Sequence, residues 1–147
     1  HNSSSAASDV YKRQELGKQL ALKVENIMHP INDVAQINNK DSISSCAKKM
    51  TDNPLGAALL LENGSLKGIV TEGDLRKSIA SNLDLSNSIE PFINDNPISI
   101  HSSVSILDAM KIMEDRSSKI SCLPVIDSDG KCLGLLTIHD LYQTKLV

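Results

Sequence analysis

The phrase Gly-x-x-Thr-x-x-Asp-Leu occurs twice in this chain, as Gly68 to Leu75 and as Gly134 to Leu141. Every position of the second copy lies 66 residues after its counterpart (137 − 71 = 140 − 74 = 66). A repeat of fixed period constrains the fold strongly, because each unit must adopt the same local structure and stack on its neighbour to bury an apolar face. Each copy also sets a hydroxyl and a carboxylate at the end of an apolar strand, where a helix begins.

The flanking residues repeat as well. In the first unit Val24 to Met28 reads as a helical turn ended by Pro30, and Val34 to Ile37 as a short strand. Asp41 or Ser42 caps a helix whose apolar stripe is Ile43, Cys46, Ala47 and Met50. Asn53-Pro54 breaks it, Leu55 to Leu61 and Leu66 to Val70 form a hairpin about Asn63-Gly64, and Thr71 to Asp74 opens a second helix. In the second unit Ile89 to Phe92 is the opening turn and Pro97 to Ile100 the strand. Ser102, Ser103 or Ser105 caps a helix striped by Ile106, Ala109, Met110 and Met113. Strands Cys122 to Ile126 and Cys132 to Leu136 follow, about Asp129-Gly130, then a helix from Asp140 to Leu146. The expected fold is α/β (α+β): two β-α-β-β-α units, 24–84 and 85–147, packed as a pseudo-twofold pair. Neither unit, at about 60 residues, buries a large core alone.

Composition narrows the function. Aromatic residues make up 2% of the chain and the formal net charge is −3. That leaves neither the stacking platforms nor the basic face that nucleic-acid binding uses. No apolar run reaches the 18 or more residues of a membrane span. Three cysteines, Cys46, Cys122 and Cys132, sit in apolar patterns without C-x-x-C spacing, as expected of buried reduced thiols in a cytoplasmic protein. His29, His101 and His139 lack metal-ligand spacing, so no metal site is expected. No catalytic set is evident. Residues 1–14 are low in complexity, and Ser8 to Gln14 resembles translated adaptor sequence, so this stretch is read as a disordered tail. With no initiating methionine, the natural protein is expected to extend upstream, and 15–23 is read as a linker from a missing domain.

The paired units, each ending in Gly-hydrophobic-hydrophobic-Thr-x-x-Asp-Leu, resemble a tandem CBS-domain pair from Val24 to Val147. A narrower similarity lies in Leu16-Gly17-Lys18-Gln19-Leu20-Ala21-Leu22-Lys23-Val24 followed by Ile27-Met28-His29. This resembles the segment that, in D-arabinose-5-phosphate isomerases, joins a sugar-isomerase (SIS) domain to a C-terminal CBS pair. Thr71-Glu72-Gly73-Asp74-Leu75-Arg76-Lys77 and His139-Asp140-Leu141 are similar to further stretches of that family. The resemblance implies a non-catalytic regulatory pair whose parent is an isomerase of Kdo and lipopolysaccharide biosynthesis. It implies a nucleotide or nucleotide-sugar ligand such as CMP-Kdo, or an adenine nucleotide, and association of CBS pairs into homo-oligomers. The other readings are a ligand-free assembly module and an adenylate-sensing pair of another parent.

The chemistry of the motif suits a nucleotide. A carboxylate accepts hydrogen bonds from both hydroxyls of a ribose diol, the role expected of Asp74 and Asp140. Thr71 and Thr137 are placed to donate to a phosphate beside free helix N–H groups. His139 is expected beside the Asp140 cleft, on a phosphate or sugar acid. Val34 to Ile37, Leu55 to Ala57, Ile98 to Ile100 and Leu123 are the expected apolar walls for the base. The Pro-containing strand Leu123-Pro124-Val125 favours the Asp140 cleft. Thr-x-x-Asp at a strand–helix junction equally serves as a helix cap alone.

Overall fold

The computed structural model describes residues 2–82, 84–115 and 120–145. Two helices lead in, α1 (Asn2–Leu20) and α2 (Val24–Ile27), followed by strand β1 (His29–Pro30) and a 3-10 turn at Ile31–Asp33. The first unit continues through β2 (Ala35–Ile37), α3 (Ile43–Asp52), β3 (Ala57–Glu62), β4 (Ser65–Thr71) and α4 (Glu72–Ala80). A second 3-10 turn at Glu90–Phe92 opens the other unit. It contains β5 (Ile100–His101), α5 (Ile106–Glu114), β6 (Cys122–Ile126), β7 (Cys132–Thr137) and α6 (Ile138–Gln143).

The helix stripes fall inward as their spacing requires. Ile43, Cys46 and Met50 are buried on α3, and Ile106, Ala109, Met110 and Met113 on α5. Ser42 and Ser105 are the caps, each accepting a hydrogen bond from the backbone N–H three residues on. The hairpin β3–β4 turns through Asn63 and Gly64, both at positive φ (53° and 83°), the geometry that matches strand twist. At the other hairpin the Asp127 carboxylate accepts from the backbone N–H groups of Asp129 and Lys131.

Three elements differ from the sequence-based expectation. The stretch from Glu15, read as a short helix or linker, is helical, and the same helix runs back to Asn2 through the residues read as a disordered tail. Ala6, Ala7 and the Lys12 to Leu16 stretch are good helix formers with no proline among them, and the described side chains are exposed. The expected strand Pro97 to Ile100 contracts to Ile100–His101. Its ladder begins at the Ile100–Val125 pair, beside Pro124, which has no N–H to contribute. The last helix, expected to run from Asp140 to Leu146, spans Ile138–Gln143 and gives way to a turn with Lys145 at φ 59°; Leu146 itself lies outside the described residues.

The sheets exchange their edges. One has the order β2-β3-β4 and the other β1-β7-β6-β5. Thus β1, which precedes the first unit, pairs antiparallel with β7 of the second, His29 opposite Leu135 and Pro30 opposite Gly134. The mirror event occurs at Asn94, which leads into the second unit and bridges Ile69 on β4 with two backbone hydrogen bonds of 3.0 and 2.9 Å. Core residues follow suit. Val24 packs in the cluster of Ile106, Met113, Leu123 and Leu136, while Ile89 packs with Ile43, Cys46 and Val70. A third cluster joins Val34, Leu59 and Ile69 to Cys122, Cys132 and Leu135, so the two sheets share one apolar seam.

Candidate functional site

Both Thr-x-x-Asp motifs form capping boxes. Thr71 and Thr137 are the N-caps of α4 and α6, and each Asp lies three residues on with its carboxylate turned back to the cap. Asp74 Oδ2 accepts from Thr71 N–H and from Thr71 Oγ1, both at 3.0 Å. Among the described residues Asp74 Oδ1 has no hydrogen-bond partner. Asp140 Oδ2 accepts from Thr137 N–H at 3.0 Å. Its Oδ1 accepts from His29 Nε2, also at 3.0 Å. The two motifs therefore present different surfaces: among the described residues one carboxylate keeps an oxygen without a partner, and the other has both oxygens engaged.

A cleft of about 270 Å3 lies at the first motif. Gly56, Thr71, Glu72, Gly73 and Arg76 of the first unit face Ile120, Ser121 and Cys122 of the second. A smaller hollow of about 140 Å3 adjoins it through Thr71, Ile120 and Cys122, and extends to Ile69, Asn94 and Ile98. Each volume is below the roughly 300–1,000 Å3 typical of small-molecule sites, so only the two hollows taken together approach that size. The lining is mixed: apolar walls at Ile69, Ile98, Ile120 and Cys122, and polar groups at Thr71, Ser121, Glu72 and Arg76. First-turn N–H groups such as that of Gly73 lack intrahelical acceptors, and α4 is long enough to carry a dipole. Arg76 stands one turn beyond Gly73, with a guanidinium nitrogen 3.9 Å from where a Cβ at Gly73 would lie. This arrangement suits an anion attached to a flat or apolar group.

The Cys122 wall is chemically inert. Burial pushes its thiol up to about 11, a hydrogen bond from Ser121 pulls the other way, and the nearby Glu72 charge adds to the rise. Cys46 is likewise pushed to about 11, chiefly by burial. All three cysteines are free and buried.

Of the residues singled out in the sequence, Thr71 lines the cleft, while Asp74 is not among its lining residues and adjoins it through its hydrogen bonds with Thr71. Thr137 and Asp140 are brought together with His29. His139 is exposed and hydrogen-bonds Gln143 on its own helix, Nε2 to Nε2 at 3.1 Å. Of the expected apolar walls, Gly56 and Ile98 line the cavities, whereas Leu123 and Val34 are core residues. Among the described residues no cluster of three or more His, Cys, Asp or Glu could hold a metal ion. None of their helices is long and apolar enough to cross a membrane. Sequence reasoning missed Ser121, Arg76 and His29 as groups at the two motifs. For His29 the available signal was its position in register with Asn94, one residue short of the motif spacing.

Comparisons with known proteins bear on the family and the fold. The family model described as "CBS domain" matches twice, at residues 24–81 and 89–145. The chain is 35% identical over 132 residues to arabinose 5-phosphate isomerase KdsD of Francisella tularensis, covering 89% of this chain and 40% of that enzyme. Among solved structures it resembles CBSX2, a CBS-pair protein from Arabidopsis thaliana, in complex with AMP. That likeness has a TM-score of 0.69 at 20% identity, over 84% of this chain and 96% of that one. It also resembles the CBS domain pair of MJ0100 in complex with 5-methylthioadenosine and S-adenosyl-L-methionine, with a TM-score of 0.72 at 23% identity, over 84% and 94% of the two chains. With both units matched, and with their sheets and cores interlocked, this chain belongs to the CBS domain family as a tandem pair.

Proposed function

We propose that this pair is the ligand-sensing regulatory part of a cytoplasmic arabinose 5-phosphate isomerase, and that its ligand is a nucleotide or nucleotide-sugar held in the Thr71 cleft. The observation that carries the reading is the cleft itself, which combines a capped helix N-terminus, a guanidinium and apolar walls from both units. Two similar CBS pairs are described in complex with AMP or with adenosine derivatives, which supports a nucleoside ligand. CMP-Kdo is the sensible feedback ligand for such an enzyme, since its phosphate and carboxylate both suit the Arg76 fork. On this reading the first-turn N–H groups of α4 and Arg76 hold the phosphate, and the Thr71 hydroxyl joins them by turning its one hydrogen away from Asp74 Oδ2. Asp74 Oδ1 accepts from the ribose, and Ile98 and Ile120 cover the base. Binding couples to the rest of the enzyme, including its SIS domain, by favouring one arrangement of the two units.

Titration calorimetry with CMP-Kdo, CMP, AMP and ATP tests this. Heat from at least one of them, reduced by Arg76→Ala, is expected; silence from all four would remove the sensing role. A second reading, assembly of two copies without a ligand, draws support from Ile79, Leu107 and Tyr142, which are large apolar side chains exposed on α4, α5 and α6. Sedimentation across concentrations, with and without nucleotide, separates the two.

A further inference from the structure

The exchanged lead-in segments place one residue against each motif, and the two residues differ. At the first motif it is Asn94, bridged to Ile69, which lies next to Gly68 and two residues before Thr71. Its side chain is turned onto its own loop, with Oδ1 accepting from Asn96 N–H at 3.0 Å. It thereby becomes part of a cavity wall, and among the described residues Asp74 engages only its Oδ2. At the second motif the corresponding residue is His29, opposite Leu135, and its ring reaches Asp140 at 3.0 Å. A carboxylate only accepts, so the hydrogen on this bond is carried by Nε2. The side chains of His29 and Asp140 are 34% and 15% exposed, so the pair lies at a partly shielded surface. Its backbone is also wedged. A Cβ at Gly134 would overlap the His29 carbonyl oxygen and lie 3.1 Å from Met28 Sδ, so this motif accepts the lead-in only because residue 134 has no side chain.

We propose that His29 acts as a built-in occupant of the second cleft, taking the Asp140 oxygen that a ribose hydroxyl would use, so that the pair binds one nucleotide, at Thr71. This rests on the nucleotide reading above and adds the residue that sets its stoichiometry. His29 is a selectivity residue between the clefts, and Asn94 marks what an unoccupied counterpart looks like. The experiment is calorimetry of the whole chain with AMP and with CMP, comparing wild type with His29→Asn, the substitution that copies the first cleft.

The expected result is one site in wild type and a second, weaker site in His29→Asn. Two sites in wild type, or one in both proteins, would overturn the role of His29 while leaving nucleotide binding intact. No heat from either protein removes the nucleotide reading, and this inference with it. Should the variant fail to fold, the imidazole 15N spectrum of wild type decides. A ring protonated at Nε2 and unmoved by saturating nucleotide supports the proposal; His29 signals displaced from Asp140 by nucleotide overturn it.

Discussion

Gly68 and Gly134 hold the same position in the two motifs, yet alanine should be tolerated very differently at each. At Gly68 the new Cβ would come 2.6 Å from Ile93 Cγ2 and 3.2 Å from the Asn94 oxygen. Ile93 is half-buried and can shift at the ordinary cost of overpacking, about 1–3 kcal/mol. At Gly134 the obstacle is backbone. The His29 carbonyl oxygen overlaps the new atom, and the His29 carbonyl carbon lies at 3.1 Å. No rotamer relieves that contact, so β1 must lift from β7. The variant then loses ladder hydrogen bonds worth about 0.5–1.5 kcal/mol each, together with the His29–Asp140 contact, on top of the overpacking cost. In both variants the removal of glycine from a strand returns about 0.5–1 kcal/mol. Net losses of about 1–2 kcal/mol for Gly68→Ala and about 3–4 kcal/mol for Gly134→Ala follow. With a urea dependence of roughly 1–3 kcal/mol/M, the unfolding midpoints should differ by about 1 M. Equal midpoints, or a milder effect at Gly134, would refute the argument that the lead-in strand is pinned by its backbone.

Other expectations can be checked with the same material. Thr71→Val keeps the side-chain shape but removes the cap oxygen that accepts from Asp74 N–H, so it should cost about 1 kcal/mol in urea melts and weaken nucleotide binding. Thr71→Ser should restore both. At Asp41, burial alone would raise the pKa, but hydrogen bonds from Lys49, the Asn38 N–H and Ser45, with the Lys49 charge, hold it below its ordinary 3.8. Its folded-state pKa is thus the lower one. The stability it contributes is present above the ordinary carboxylate range and is lost as pH falls through the folded value. Asp41→Asn should flatten the acid limb of a stability–pH curve, and an unchanged limb would count against the pairing. The thiols of Cys46 and Cys122, pushed up to about 11 and buried, should resist a disulfide reagent at pH 8 until denaturant is added. Fast reaction of either in the native protein would contradict their placement.

Particular residues explain what was legible in advance. The stripes Ile43-Cys46-Met50 and Ile106-Ala109-Met110-Met113 carry the helical period, and Asn63-Gly64 carries its own turn chemistry, so both units could be read locally. Thr-x-x-Asp was legible as a cap because its partners lie three residues apart. The pairing of His29 with Asp140 spans 111 positions and depends on which sheet a two-residue strand joins. Hydrophobic period says nothing about that choice, since β1 is too short to have one. Arg76 was read as a solvated helix face, and its surface position is real: it is exposed and also lines the cleft. Only the approach of Ser121 and Cys122 from the other unit turns that face into a wall.

The exchange of lead-in segments also bears on how such a chain can be divided. Val24 and the backbone of Leu22 complete the unit that begins at Ile100, through hydrogen bonds to Val104 and Ile106. Ile89 and Asn87 complete the unit that begins at Ala35, through Asp41 and Ile43. Cutting between residues 84 and 85 would therefore yield two halves, each carrying its sibling's missing piece and lacking its own. A gene encoding a single unit with its lead-in would make a product whose open groove is filled only by a second molecule offering the same segment in return. The covalent tandem does within one chain what such a reciprocal dimer would do between two, and that linkage is what allows the two grooves to receive different residues.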